Sequence, residues 1–264
     1  MSAAGVVTLL TDFGPGSVYV GQMHGTLLRR APDVRVVDLA HDCPAGGVAA
    51  AAYILRRSVR HFPAGSVHVA VVDPGVGSER AILAARAGDH TFLAPDNGLL
   101  GGILAETEDP EVRRVENRDL MNEVVSRTFH GRDIFAPVAA HLASGGALAD
   151  VGPECPWEVA RPGPELEDGA VEGQVLLVDR FGNLITDIDR GMVEALGAAD
   201  AVRVRAGATF IQGLVRTFSE VPRGVALTYI GSGDHLELAI NAGRASDVLR
   251  LGPGDVIRVE RIGA

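Results

Sequence analysis

The chain has 264 residues, 47% of them hydrophobic, with 33 glycines and 14 prolines, which fits a turn-rich globular α/β protein of one large domain or two ordinary ones. Its net charge of −10 argues against a nucleic-acid partner, whose phosphates need a basic face, and is compatible with a cationic small ligand. No apolar run approaches the roughly 18 residues of a membrane span, and the start Met1-Ser2-Ala3-Ala4-Gly5 carries no basic segment, so a cytoplasmic protein without a signal peptide is expected.

In chain order, residues 5–10 read as a strand that ends in Thr11-Asp12-Phe13-Gly14. A helix is predicted over 17–30, a strand over 34–39 and a helix over 47–62. The apolar run 66–72 reads as a buried third strand, closing on Asp73-Pro74-Gly75-Val76-Gly77-Ser78-Glu79-Arg80. Residues 81–86 and 90–94 read as a hairpin around Gly88-Asp89, followed by helices over 97–106 and 133–143. Pro137 falls in the first turn of the last helix, where proline is tolerated.

Strands alternating with helices predict an α/β N-terminal domain with a largely parallel, doubly wound sheet. The stretch 152–169, rich in proline and glutamate, reads as a linker. Beyond it, short strands are predicted at 174–178, 184–187, 201–204, 225–230, 236–240 and 255–259, with few helical patterns. The expected organisation is an α/β domain over 1–160 and a small all-β, barrel-like domain over 161–264.

Several chemistries are set aside by what is missing. There is no lysine: all 24 basic residues are arginine, which removes a Schiff-base lysine, a P-loop lysine and a lysine general base. Cys43 and Cys155 are far apart and show no zinc or disulfide spacing. The eight histidines form no HExxH or comparable pattern, so no metal site is expected. No Gly-x-Ser-x-Gly elbow precedes a helix, which argues against a serine hydrolase.

The residues that can carry chemistry lie at strand ends. Ligands of open α/β sheets bind outside the carboxyl ends of strands. Asp12 sits at such an end and can accept from a ribose diol, or it can cap the next helix. Asp73 and Arg80 bracket a glycine turn, as a working pair or as a structural ion pair. His130, in Phe129-His130-Gly131-Arg132-Asp133, stands at a predicted helix start. An acid, an arginine and a histidine meeting at a sheet edge can orient and polarise a small nucleophile.

In the second domain, Asp179-Arg180-Phe181-Gly182-Asn183 lies between strands. Asn183 is a turn residue or a reader of an adenine edge. Phe181 stacks on a base or packs in the barrel. Ser232, in Ile230-Gly231-Ser232-Gly233, belongs to a hairpin whose amides can hold a carboxylate.

Taken together and in order, these motifs resemble the S-adenosylmethionine hydroxide adenosyltransferases, relatives of enzymes that attack the same substrate with fluoride or chloride. The match also includes Ala94-Pro95-Asp96-Asn97-Gly98-Leu99-Leu100 and Leu236-Glu237-Leu238-Ala239-Ile240-Asn241, and it runs nearly end to end. The resemblance implies hydrolysis of S-adenosylmethionine at C5′ to adenosine and methionine, without a cofactor, by a homotrimer with active sites between subunits. It places an Asp–Arg–His set on Asp73, Arg80 and His130 and the ribose acid on Asp12. It implies adenine contacts from Asn183 and the backbone at Ala242, with Phe129 nearby. Asp179 falls on the methionine ammonium and Ser232 on the carboxylate.

The halide-using relatives carry tyrosine where this chain has Asp73, whose charge favours water over halide. Ser17 stands where relatives often have an acid, which removes one expected ammonium contact. The segment from His41 to Gly47 has small residues where the halide-using relatives place an aromatic. A guanidinium beside a carboxylate favours its charged form. Asp73 is therefore read as a polarising acceptor, with proton loss late or shared with His130. The rival readings are a halogenase, a non-catalytic adenosine or S-adenosylmethionine sensor, and a metal-dependent hydrolase.

Overall fold

The structure, a computed structural model, describes residues 5–157 and 163–262. The chain divides into two compact units, Met1–Arg161 and Pro162–Ala264. The expected boundary between residues 160 and 161 lies outside the described residues.

The first unit is built on a six-stranded sheet. Its elements in chain order are β1 (Val6–Thr11), α1 (Val18–Arg30), β2 (Arg35–Ala40), α2 (Val48–Ser58), β3 (Val67–Val71), β4 (Ile82–Ala87), β5 (His90–Pro95), α3 (Gly101–Ala105), β6 (Glu111–Arg114) and α4 (Ala136–Ala143). The strand order is β2-β1-β3-β5-β4-β6. β1 and β3 are buried along their whole length, as continuous apolar strands covered on both faces should be. One core packs Val7, Leu9 and Val69 with Met23 and Leu27 of α1 and Val138 of α4. The other packs Leu10 and Ala70 with Leu55 of α2 and Leu104 of α3.

The sheet is mixed, so the expected largely parallel arrangement is met only in part. β2, β1, β3 and β5 run parallel, while β4 pairs antiparallel with both β5 and β6. Only Gly88 and Asp89 separate β4 from β5, and so short a connection can join only antiparallel strands. β6 has no counterpart among the expected strands, because Val112 is its one apolar side chain. An ion pair from Glu111 to Arg86 of β4 (3.5 Å) crosses the pairing, and Glu111 also meets Arg113 within β6 at 2.7 Å.

The helix expected over 97–106 shrinks to α3. Asn97 Nδ2 donates to the Val72 carbonyl at 3.0 Å, and Gly98 takes φ +86°, which breaks the helical path. At the other end of the unit, a π-turn at Gly131–Phe135 leads into α4.

The linker reading of 152–169 is only partly met. Pro153 and Cys155 hydrogen-bond along β6, and Leu166–Glu167 pairs with the next strand. Residues 158–162, including Glu158 and Pro162, lie outside the described residues.

The second unit contains β7 (Leu166–Glu167), β8 (Ala170–Val178), β9 (Leu184–Asp189), α5 (Arg190–Leu196), β10 (Val202–Ala206), β11 (Thr209–Gln212), β12 (Ala226–Ile230), β13 (His235–Ile240), α6 (Ala245–Leu249) and β14 (Val256–Arg261). Its eight-stranded sheet is antiparallel in the order β11-β10-β14-β8-β9-β13-β12, with β7 on β8. Burial alternates along β9 and β10, the period-two signature of strands with one face inward.

The ends of this sheet approach each other. The Val215 amide donates to the Thr228 carbonyl at 2.9 Å, and Thr228 Oγ1 donates to the Gly213 carbonyl at 2.7 Å. The result is a nearly closed, barrel-like sheet. α5 and α6 are too short to leave a periodic trace in the sequence. α5 is capped by Asp189, whose carboxylate accepts from the Met192 amide at 2.9 Å.

Candidate active site

Strands β1 and β3 are adjacent and parallel, with Thr11 opposite Val71. The residues just past their C-terminal ends, Asp12 and Asp73, therefore share one sheet edge. Asp12 Oδ2 accepts from the Gly46 amide at 2.8 Å. A Cβ at Gly46 would stand 3.6 Å from Pro74, so the loop that holds Asp12 also touches the turn after Asp73.

Asp73 is the centre of that turn. Its Oδ1 accepts from the Gly75 amide at 3.0 Å and from Arg80 Nη1 at 2.7 Å. Its side chain is 8% exposed and that of Arg80 30%. Among the described residues Oδ2 has no hydrogen-bond partner, so one oxygen is fixed and one is left to accept.

The turn is shaped by glycine. Gly77 has φ +83°, and a Cβ there would lie 2.4 Å from the Arg127 carbonyl oxygen. This contact seats the Asp73 turn against the segment that carries Phe129 and His130. His130 opens the π-turn and is half-buried. Asp73 and Arg80 are thus bonded to each other, whereas among the described residues no hydrogen bond joins His130 to either.

The segment before His130 is anchored by Asp133, which is buried. Arg132 Nε and Nη2 donate to its two oxygens at 2.7 and 2.8 Å, Asn122 Nδ2 donates at 3.0 Å and the Ser126 amide at 2.9 Å. The Arg132 hydrogen bond, against the opposing effect of burial, holds the Asp133 carboxyl down at about 2. Phe129, also buried, meets Phe13 and Tyr19 edge-on at 6.0 and 5.0 Å, with the Arg132 guanidinium 5.0 Å from its ring centre.

In the second unit, Asp179 organises its own turn. Its Oδ1 accepts from the amides of Phe181 and Asn183, and its Oδ2 from Asn183 Nδ2, all at 2.8 Å. The Asn183 side chain keeps Oδ1 and one N–H for other partners. Phe181 is 75% exposed, so its ring is not barrel core. Ser232 is exposed in the β12–β13 hairpin, where the Gly231 amide donates to the His235 carbonyl at 2.9 Å. Ala242 is exposed and takes φ +59°, a left-handed conformation that a residue with a Cβ rarely adopts.

One acid was not among the residues expected from the sequence. Glu237 on β13 is buried, and Tyr229 Oη donates to its Oε2 at 2.5 Å. Burial pushes its carboxyl up, the charge of Asp179 adds to that, and the Tyr229 bond opposes it. A Cβ on Gly231 would fall 1.8 Å from Glu237 Oε1, so the acid lies directly against the Ser232 hairpin. The signal was present as a charged residue inside the apolar run Leu236-Glu237-Leu238.

The described residues hold no cluster of metal-ligating side chains, and none of their helices is long and apolar enough to cross a membrane. The first unit thus offers a shielded carboxylate with one open oxygen, able to hold a group as small as water, beside a second acid suited to a diol.

The family follows from comparison with known proteins. Residues 7–152 match the SAM hydroxide adenosyltransferase N-terminal domain and residues 173–258 its C-terminal domain. The chain belongs to the SAM hydroxide adenosyltransferase family. It is 41% identical to a Thermus thermophilus protein named (R)-S-adenosyl-L-methionine hydrolase, over 96% of this chain and 98% of that one. A crystal structure from Thermotoga maritima superposes with a TM-score of 0.88 at 38% identity, covering 97% of this chain and all of the other. A fluorinase from Nocardia brasiliensis is more distant, 28% identical over 97% of this chain and 96% of its own.

Proposed function

We propose that this chain hydrolyses S-adenosyl-L-methionine: water attacks C5′, and adenosine, L-methionine and a proton result. The C5′–S bond breaks with its electron pair passing to sulfur, which turns the sulfonium into a neutral thioether. The leaving group is already cationic, so its departure needs no general acid, metal or cofactor. The protein must hold water in line with that bond, and such positioning is worth roughly 7–11 kcal/mol.

The observation that carries this reading is the Asp73 carboxylate, 8% exposed, with Oδ1 committed to Arg80 and Gly75 and Oδ2 left to accept from a water. Asp73 orients and polarises the water, Arg80 fixes Asp73, and His130 shares the proton as it leaves. Asp12 accepts from the ribose hydroxyls. Asn183 and the left-handed backbone at Ala242 read adenine, Phe181 stacks on it and Phe129 forms a nearby wall. Asp179 meets the methionine ammonium and the Ser232 hairpin its carboxylate. A buried negative charge at residue 73 repels an incoming chloride or fluoride, which favours water.

The working protein is proposed as a homotrimer with each active site formed where subunits meet. A cytoplasmic location fits its free cysteines, Cys43 and Cys155. Burial first, then the charges of Asp42 and Asp12, push the Cys43 thiol up to about 12, so it is inert as a nucleophile.

Incubation with S-adenosyl-L-methionine in isotopically labelled water tests the proposal. Label in the 5′-hydroxyl of adenosine is the expected result. A 5′-chloro-5′-deoxyadenosine product in chloride, or binding without turnover, would overturn it.

A further inference from the structure

Residues 11–14, which carry Asp12, are held by a relay of side chains that the proposed reaction does not use. Thr11 Oγ1 lies 2.9 Å from His41 Nδ1 and accepts from the Phe13 amide at 3.2 Å. The Gly14 amide donates to the His41 carbonyl at 2.7 Å. Asp12 is therefore bracketed, with Thr11 before it and Gly14 after it both fastened to one histidine. On the far side of the ring, His41 Nε2 lies 3.0 Å from Asp38 Oδ1. That approach is bent, so the ring edge faces the carboxylate without a straight hydrogen bond. The same Asp38 oxygen takes His24 Nε2 of α1 at 2.8 Å.

The order hydroxyl, imidazole, carboxylate is that of a nucleophilic triad. Burial decides against that use, because Thr11 has no exposed surface and no substrate atom can reach its oxygen. A buried hydroxyl locked to a histidine is suited instead to fixing backbone.

We propose that Thr11, His41 and Asp38 are positioning residues that hold Asp12 in the geometry needed to grip the ribose hydroxyls of the substrate. Asp38 keeps the ring proton on Nε2, which leaves Nδ1 to accept the Thr11 hydroxyl proton. The Thr11 oxygen then accepts from the Phe13 amide, and the chain from strand β2 to the Asp12 loop is complete. The proposal rests on the reading of Asp12 as the ribose acceptor.

The test compares the affinity for adenosine with that for 2′-deoxyadenosine, by calorimetry, in the full chain and in Asp12→Ala, Thr11→Val, Thr11→Ser and Asp38→Asn. Inhibition by free methionine is measured alongside. The wild type prefers adenosine. Thr11→Val, which keeps shape and loses the hydroxyl, and Asp38→Asn each reduce that preference, by about tenfold for Thr11→Val. Thr11→Ser retains it, and methionine inhibition stays unchanged in the Thr11 and Asp38 variants. The Asp38 side chain is 43% exposed, so its variant folds even where Thr11→Val does not. A wild-type preference in folded Thr11→Val or Asp38→Asn overturns the relay while leaving Asp12 as ribose acceptor. A wild-type preference in Asp12→Ala overturns the ribose reading itself, and the relay's purpose with it.

Discussion

Arg80 Nη1 donates to Asp73 Oδ1 at 2.7 Å, on the same oxygen that the Gly75 amide occupies at 3.0 Å. The consequence is asymmetry. A carboxylate with both oxygens bonded could only balance charge, and one with neither would rotate. Here the turn fixes the plane of the group, and Oδ2 keeps its lone pairs for a mobile partner. An ion pair of this kind, between a shielded acid and a part-exposed arginine, is itself a modest contribution to stability. Its value lies in orientation.

Asp73→Asn keeps the shape and removes the charge that polarises water. Turnover is expected to fall by roughly 10²–10⁴-fold, the usual range for losing a positioned acid–base group. Substrate affinity should change little, because the loss falls on the transition state. Single-turnover rates and equilibrium binding of S-adenosyl-L-methionine separate the two. Collapsed affinity with intact single-turnover chemistry would show that Asp73 binds rather than activates.

Gly77→Ala places a Cβ 2.4 Å from the Arg127 carbonyl oxygen at φ +83°. Both the conformation and the contact oppose it, and the contacting atom is backbone that cannot swing aside. A stability loss of about 1–3 kcal/mol is expected by thermal unfolding. Turnover should drop as well, because the displaced segment leads to His130. A fully active variant would remove His130 from the site.

The features legible in the sequence are those written as short-range contrast. An apolar run closed by an acid and glycines marks β3 and Asp73, and the same pattern marks β1 and Asp12. Gly88-Asp89 marks the β4–β5 hairpin, and its two-residue length already brings an antiparallel pair into the largely parallel sheet that strand–helix alternation suggests. What escapes depends on partners distant in sequence. β6 is held by pairing and arginine bridges, not by apolar pattern. The helix expected after Asn97 is cut short because that side chain reaches back to Val72, 25 residues earlier. The tie between Thr11 and His41 spans 30 residues, and nothing local to either announces it. The Asp179 turn is visible as a motif, but its carboxylate's commitment to Asn183 is not.

Asp133 is expected to be a main anchor of the first unit's loop structure. Asp133→Asn leaves Arg132 without its carboxylate and should cost about 2–4 kcal/mol in urea unfolding. The wild type should show a matching acid sensitivity. Its folded carboxyl titrates at about 2, below the ordinary value near 3.9 of the unfolded chain. The unfolded state therefore binds the proton first. The stabilisation is complete above about pH 4 and is lost as pH falls toward 2. The Asn variant should lack this contribution and titrate less steeply across that window.

His68 sets a second pH dependence at higher values. It has no exposed surface, its Nδ1 lies 2.8 Å from Thr8 Oγ1 and its Nε2 3.1 Å from His90 Nδ1, and it stacks on Phe92. Burial, with a smaller contribution from His90, pushes its imidazole down to about 3. In the unfolded chain it titrates near 6.5. Between these values the unfolded state carries a proton that the folded state refuses, so stability declines as pH falls below about 6.5 and stops declining on this account near 3. At pH 5 the loss is about 2 kcal/mol. Urea midpoints at pH 7, 6 and 5 should fall in step. His68→Leu should start lower at pH 7, having lost its hydrogen bonds, yet change less between pH 7 and 5. An equal slope in the variant would assign the acid sensitivity to other groups, such as His90, whose own value burial also lowers.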